Sequence, residues 1–187
     1  MKFNKKNMRQ YLYDKRISIL PREAFSRSVY LVDNLFKLIN NYCYDKIFLF
    51  YPIKNEPNCL LILDKLQSSK IALPVIEQDN NMKFCSWQKN FPLRENKYKI
   101  KEPYVTSNNI VHPDPKTLIC VPALAVDTKG YRIGYGGGFY DRYMREYPDA
   151  VYVALVFSDF IYDDLPLDPW DQSVNYICTD DQLIEIR

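Results

Sequence analysis

Val121-Pro-Ala-Leu-Ala-Val-Asp-Thr-Lys-Gly-Tyr-Arg-Ile-Gly-Tyr-Gly-Gly-Gly-Phe-Tyr-Asp-Arg-Tyr143 holds every glycine of the 187-residue chain: Gly130, Gly134, Gly136, Gly137 and Gly138. Ordinary usage of about 7% would scatter roughly 13 glycines over this length. Glycine reaches backbone angles that other residues avoid and lets another group approach bare main chain. One or two glycines would mark a tight turn, whereas five within nine residues mark a built loop. The flanks say what kind. Upstream, Thr117 to Val126 is apolar and β-branched and reads as a buried strand. Downstream, Phe139 to Tyr147 reads as a helix, with Tyr140, Tyr143, Met144 and Tyr147 on one stripe and Asp141 to Arg145 at ion-pair spacing. Strand, glycine loop and helix start is the arrangement in which backbone N–H groups and the positive helix end hold a phosphate. Arg132 and Lys129 add charge that a phosphate can use. The GxxxxGK[ST] phosphate loop is excluded because its lysine and hydroxyl are missing, and Gly134-Tyr-Gly-Gly-Gly-Phe139 breaks GxGxxG at its last position.

Outward from this loop, composition narrows the classes. A net charge of +2 is too small to argue for nucleic acid or a membrane surface as partner. The 16 tyrosines sit within apolar segments rather than along a basic stripe, which favours packing over base stacking. Cys43, Cys59, Cys85, Cys120 and Cys178 are odd in number, far apart and never in CxxC spacing, so reduced core cysteines are expected. The one histidine, His112, lies in a proline-rich loop and cannot build a zinc site or a Ser-His-Asp triad. The basic N-terminus lacks a following apolar signal segment, and no stretch approaches the ~18 apolar residues of a membrane span. A cytoplasmic protein, monomeric or weakly dimeric, is the expectation.

Residues 2–18 read as a polar helix with Phe3, Met8, Leu12 and Ile19 as anchors. Lys5 and Arg9, four apart, share a face and can grip one anion, although a solvated surface helix has the same spacing. Pro21 suits a first helical position, and Phe25, Val29, Val32, Phe36 and Ile39 follow at helical spacing. Lys46 to Tyr51 reads as a strand, and the loop Pro52 to Pro57 leaves its carboxyl end, where open α/β sheets place their sites. Glu56 is a candidate contact there, or a helix-start glutamate favoured by the dipole of a helix over Asn58 to Gln67. Lys70 to Ile76, Met82 to Trp87, Ala150 to Phe157 and Val174 to Thr179 read as further strands. Lys89 to Pro115 has no periodicity, and a loop so long is more often functional than accidental. Strands alternating with helices predict a single α/β domain over residues 1–187, a Rossmann-like three-layer α/β/α sandwich with an open, largely parallel sheet.

The run from Val121 to Tyr143 resembles the signature of the 5-formyltetrahydrofolate cyclo-ligase family. The likeness continues in order along the chain: Lys5 to Arg9, Asn55-Glu56, Glu102-Pro103, and Leu165-Pro166 through Asp171 to Thr179. The resemblance implies an ATP- and Mg²⁺-dependent enzyme. ATP phosphorylates the formyl oxygen of 5-formyltetrahydrofolate, N10 attacks the activated carbon, and loss of phosphate leaves 5,10-methenyltetrahydrofolate. It implies that Lys5, Arg9 and the segment Arg132, Ile133, Gly134, Tyr135, Gly136, Gly137, Gly138, Phe139 and Tyr140 hold the nucleotide. Ile53, Glu56 and Tyr135 to Phe139 then contact the folate, Arg132 and Glu56 act catalytically, and Asp141 is the candidate Mg²⁺ ligand. Some members carry lysine where this chain has Gly137, so a catalytic cation must come from Arg132, Lys5 or Arg9; many carry glutamine near Phe160. Two other readings remain open: a folate or nucleotide binder without turnover, and a sugar-phosphate-handling α/β enzyme.

Overall fold

A computed structural model describes residues 4–66, 71–77 and 81–186. Helix α1 (Lys5–Ile17) is capped by Asn4, whose side chain accepts from Asn7 N at 2.9 Å. It buries Met8, Leu12 and Arg16; of the anchors expected beside them, Ile19 is buried and Phe3 lies outside the described residues. Helix α2 (Pro21–Tyr42) starts on Pro21, whose missing N–H would have had no helical partner. Its buried face is Ala24, Ser28, Leu31, Val32, Leu35, Leu38 and Ile39, so the expected stripe is rotated: Phe25 is 57% and Val29 40% exposed. Two overlapping apolar series run along this helix, and the one with small residues at its start packs closely enough to be used. Ser28 Oγ there donates to Ala24 O at 2.6 Å and accepts from Asn58 N at 2.9 Å.

The strands are β1 (Lys46–Phe48), β2 (Ile71–Ile76), β3 (Met82–Ser86), β4 (Leu93–Glu95), β5 (Lys101–Pro103), β6 (Ile110–Val111), β7 (Thr117–Pro122), β8 (Ala125–Asp127), β9 (Arg132–Ile133), β10 (Val151–Leu155), β11 (Ile161–Tyr162), β12 (Tyr176–Cys178) and β13 (Leu183–Glu185), with α3 (Phe139–Glu146) between β9 and β10. The main sheet has the order β13-β12-β10-β7-β1-β2-β3-β6. Its five central strands, β12 to β2, are parallel, while β13, β3 and β6 are antiparallel additions at the edges. The expected largely parallel α/β architecture is what the chain adopts. Side chains alternate across the sheet: Phe48, Ile119 and Val121 join α1 and α3 on one face, and Ile47, Leu118 and Cys120 join α2 and a 3₁₀ helix (Cys59–Asp64) on the other.

The strand read as Thr117 to Val126 is in fact two. β7 ends on Pro122, which has no N–H to carry the ladder onward, and β8 belongs to a second sheet ordered β11-β8-β9. The helix expected over Asn58 to Gln67 is the shorter 3₁₀ helix just given, and the aperiodic stretch after Lys89 contains the hairpin β4–β5 and edge strand β6. Strands of two or three residues are too short to show a period.

Candidate active site

β1 and β7 lie side by side, but the chain leaves them for opposite edges of the sheet, β1 toward β2 and β7 toward β10. A strand-order reversal of this kind opens a crevice at the carboxyl ends of the two strands. The loop after β1 and the chain after β7 both enter it.

Glu56 comes from the first. It is buried, with Oε2 accepting from Ile53 N at 3.0 Å and Oε1 3.6 Å from Arg16 Nη2. Burial raises its pKa, against the opposing pull of Arg16, the Ile53 N–H and a hydrogen bond from Tyr135. Two successive non-glycine residues before it, Lys54 and Asn55, hold left-handed φ of 49° and 58°. Such backbone persists only where the surroundings enforce it, and here Asn55 Nδ2 donates to Ile19 O at 2.8 Å while Glu56 grips Ile53.

Arg16 is the residue that sequence reading passed over. It is 2% exposed, donates through Nη1 to Ala123 O at 3.0 Å, and through Nη2 contacts the Tyr135 hydroxyl. One guanidinium thus joins α1, the chain leaving β7, the glycine loop and Glu56. Its Nε is a buried donor without a partner among the described residues. Burial and Glu56 push the Tyr135 phenol well above its ordinary pKa, so it stays protonated and donates.

The glycines divide. Gly130 (φ 83°) turns the β8–β9 hairpin, and a Cβ there would meet Val174 O at 2.9 Å; Lys129 beside it faces Asp164 at 3.3 Å and not the loop. The other four form the loop proper. Arg9 Nε donates to Gly134 O at 2.7 Å and its guanidinium lies against Gly136, where a Cβ would sit 3.2 Å from Cζ. Gly136 has φ 97° and Gly138, capping α3, has φ 66°. Gly136→Ala, strained and pressed against Arg9, is expected to lower stability by about 1–2 kcal/mol; thermal melting checks this, and an unchanged melting temperature would show that the loop tolerates a Cβ there.

Lys5 Nζ pairs with Asp168 at 2.8 Å and with Asp171, drawing the closing segment onto α1. Arg132 is buried, donating from Nη2 to Asp141 Oδ1 at 2.9 Å and from Nη1 to Gln172 O at 2.8 Å. Burial pulls the Arg132 pKa down, and Asp141 and Asp171 oppose it. The expected Asp141–Arg145 pairing gives way to this one: Arg145 Nε reaches the Asp141 carbonyl, at 3.4 Å, while the Asp141 carboxylate takes Arg132. Ile133 is fully buried, Phe139 meets the Tyr98 ring edge-on at 6.2 Å between centroids, and the Tyr140 hydroxyl is buried without a partner among the described residues. Among the described residues no three His, Cys, Asp or Glu side chains gather as a metal site, and Asp141 is committed to Arg132. These residues therefore do not form a Mg²⁺ cage of their own.

An open α/β sheet with a buried carboxylate and a bare glycine loop meeting at its switch point defines a small-molecule enzyme of the doubly wound class. The 5-formyltetrahydrofolate cyclo-ligase family model matches residues 1–180, and the chain belongs to that family. It is 30% identical over 143 residues to the 5-formyltetrahydrofolate cyclo-ligase of Mycolicibacterium smegmatis, covering 70% of this chain and 71% of that one. The cyclo-ligase of Mycoplasma genitalium is 31% identical over 132 residues, covering 69% and 68%. The solved 5,10-methenyltetrahydrofolate synthetase of Aquifex aeolicus superposes with a TM-score of 0.84 at 27% identity, over 98% of this chain and 93% of that one.

Proposed function

We propose that the chain converts 5-formyltetrahydrofolate to 5,10-methenyltetrahydrofolate while cleaving ATP to ADP and phosphate. The observation that carries this reading is the buried Glu56–Arg16 pair, met by the Tyr135 hydroxyl of a glycine loop that has Arg9 laid against it. The formyl oxygen attacks the γ-phosphorus of ATP and ADP leaves. The resulting N5 iminium ester is attacked at carbon by N10. Phosphate then departs with the C–O bonding pair, N10 loses its proton, and the amidinium product remains.

Such a sequence needs positioning and charge neutralisation more than a protein nucleophile. Arg9 supplies positive charge beside main-chain N–H groups that no Cβ screens, while Lys5, one turn earlier on α1, is held by Asp168 and Asp171. Glu56, aimed by Ile53 N and Arg16, accepts a hydrogen bond from the pterin end or takes the N10 proton. Tyr135 donates, and the partnerless Tyr140 hydroxyl is available to a bound substrate. Arg132 and Asp141 act through position: their pair holds the start of α3 and residue 172 in register with the loop. Mg²⁺ would neutralise phosphate charge, and with no carboxylate cage among the described residues it would depend on the nucleotide for its ligands.

Purified protein incubated with ATP, Mg²⁺ and folinate should form the strongly absorbing methenyl product with one ADP per turnover. Binding of both ligands without product would point to a non-catalytic homologue. Turnover of a sugar phosphate without ATP would replace the reading altogether.

A further inference from the structure

We infer that the Lys54 ammonium is a catalytic group, neutralising the phosphoryl group as it passes from ATP to the formyl oxygen. This inference rests on the proposed reaction and adds to it a residue of the loop after β1.

The oxygens of a transferring phosphoryl stay anionic throughout, so cations fixed around it lower the barrier. Of the three cations singled out from the sequence, two are spent. Lys5 is held by Asp168 and Asp171, and Arg132 by Asp141 and the Gln172 carbonyl. Arg16 is committed to Glu56 and the Ala123 carbonyl. Arg9 remains, with its Nε fixed on Gly134 O at 2.7 Å. It approaches the glycine loop from α1, whereas the accepting oxygen comes with the folate, on the side of Glu56.

Lys54 stands on that side, two residues before Glu56, with its side chain exposed. Its Nζ lies 4.9 Å over the Tyr13 ring and 5.9 Å over the Tyr135 ring. Tyr13 is one turn after Arg9 on the same face of α1, and Tyr135 lies between the two glycines that Arg9 touches. The ammonium therefore borders the same loop as Arg9 and reaches it from the opposite partner. Its charge is felt at Glu56, where it opposes the effect of burial. Among the described residues no carboxylate lies within ion-pair distance of Lys54. Two ring faces hold the ammonium in place and leave its charge unneutralised.

The backbone adds an independent observation. Lys54 has a left-handed φ of 49°, a conformation that penalises lysine more than glycine or asparagine. The loop is pinned just beyond it, by Asn55 Nδ2 on Ile19 O at 2.8 Å and by Glu56 Oε2 accepting from Ile53 N at 3.0 Å. A strained residue whose side chain stands at a crevice is the pattern of a position kept for what that side chain does.

The test compares wild type with Lys54→Met, Lys54→Arg and Lys54→Gly, and with Lys116→Met, which alters a lysine paired with Asp45 ahead of β7, at the other end of the sheet. In steady-state kinetics with ATP, Mg²⁺ and folinate, Lys54→Met and Lys54→Gly should lower kcat by about 100-fold, the loss expected for one preorganised group. The KM values for ATP and for folinate should change by less than about threefold, as for a contact made mainly in the transition state. Lys54→Arg, which keeps the charge, should recover most of the loss, and Lys116→Met should match wild type. Lys54→Gly relieves the left-handed backbone, so it should melt no lower than wild type while turning over slowly, a combination that a merely structural role would not give. A kcat near wild type in Lys54→Met, a loss equally deep in Lys54→Arg, or a lower melting temperature in Lys54→Gly overturns the inference and leaves the proposed reaction standing. A wild type without ATP-dependent turnover overturns both.

Discussion

Glu56→Gln lowers kcat by about 10²–10⁴-fold, the range spanned by a positioned general base, while the protein stays folded. Glutamine keeps the shape and can still accept from Ile53 N, which Glu56 does at 3.0 Å, so the loss isolates the negative charge. The pH dependence gives a second readout. Burial lifts Glu56 above its ordinary value of 4.5, and the group is useful only when ionised. Wild-type kcat should therefore fall as pH drops through a point above the usual glutamate range, and the residual rate of the variant should be flat there. Stability carries the opposite sign. A folded-state pKa above the unfolded one gives a contribution that is full below the unfolded value and is lost as pH rises through the folded one. Across that window the melting temperature of wild type should decline relative to the variant. A variant with near-wild-type kcat would remove Glu56 from the chemistry.

Arg16→Met is expected to destabilise the protein by about 3–5 kcal/mol, the penalty for leaving one partner of a buried ion pair alone. For a chain of this size that is a drop of roughly 10 °C in melting temperature. The guanidinium is 2% exposed and its departure strands the Ala123 carbonyl, the Tyr135 hydroxyl and the Glu56 carboxylate together. Glu56 loses its nearest positive charge, so the acidic limb of the surviving activity should move to higher pH. The Arg16→Met, Glu56→Gln double variant should recover a good part of the lost stability, because it leaves no unpaired charge buried. Additive losses in a double-mutant cycle would mean that the two side chains are not coupled. These two variants also separate roles: Glu56 bears on rate, and Arg16 on the structure that keeps Glu56 in place.

Much of this site could be read along the chain. Five glycines crowded into nine residues between apolar strand and amphipathic helix announce a main-chain cradle wherever the rest of the fold lies. Glu56 was legible from its position after a buried strand and before Pro57, because loops at carboxyl ends of parallel strands enter the crevice. Lys5 and Arg9 were legible as a pair on one face of α1, yet their acceptors, Asp168, Asp171 and Gly134 O, lie more than 120 residues away. Arg16 gave no signal. An arginine in a helix with mean charge this high reads as surface, and only the meeting of α1 with the chain leaving β7 encloses it. The same holds for Arg132 and Asp141: each was read as a separate ligand group, and folding turned them to each other at 2.9 Å.

What the sequence determined by itself was the set of local decisions. It fixed which runs were apolar enough to be central strands and that a glycine cradle would open onto a helix. These depend on a residue and its near neighbours, so they are written in the order of the chain. What tertiary structure decided was partnership: which face of α2 is buried, which glycine serves a hairpin rather than the cradle, and which cations remain free. A charge is available or spent according to what stands within a few ångströms of it, and in this fold those neighbours come from the other end of the chain.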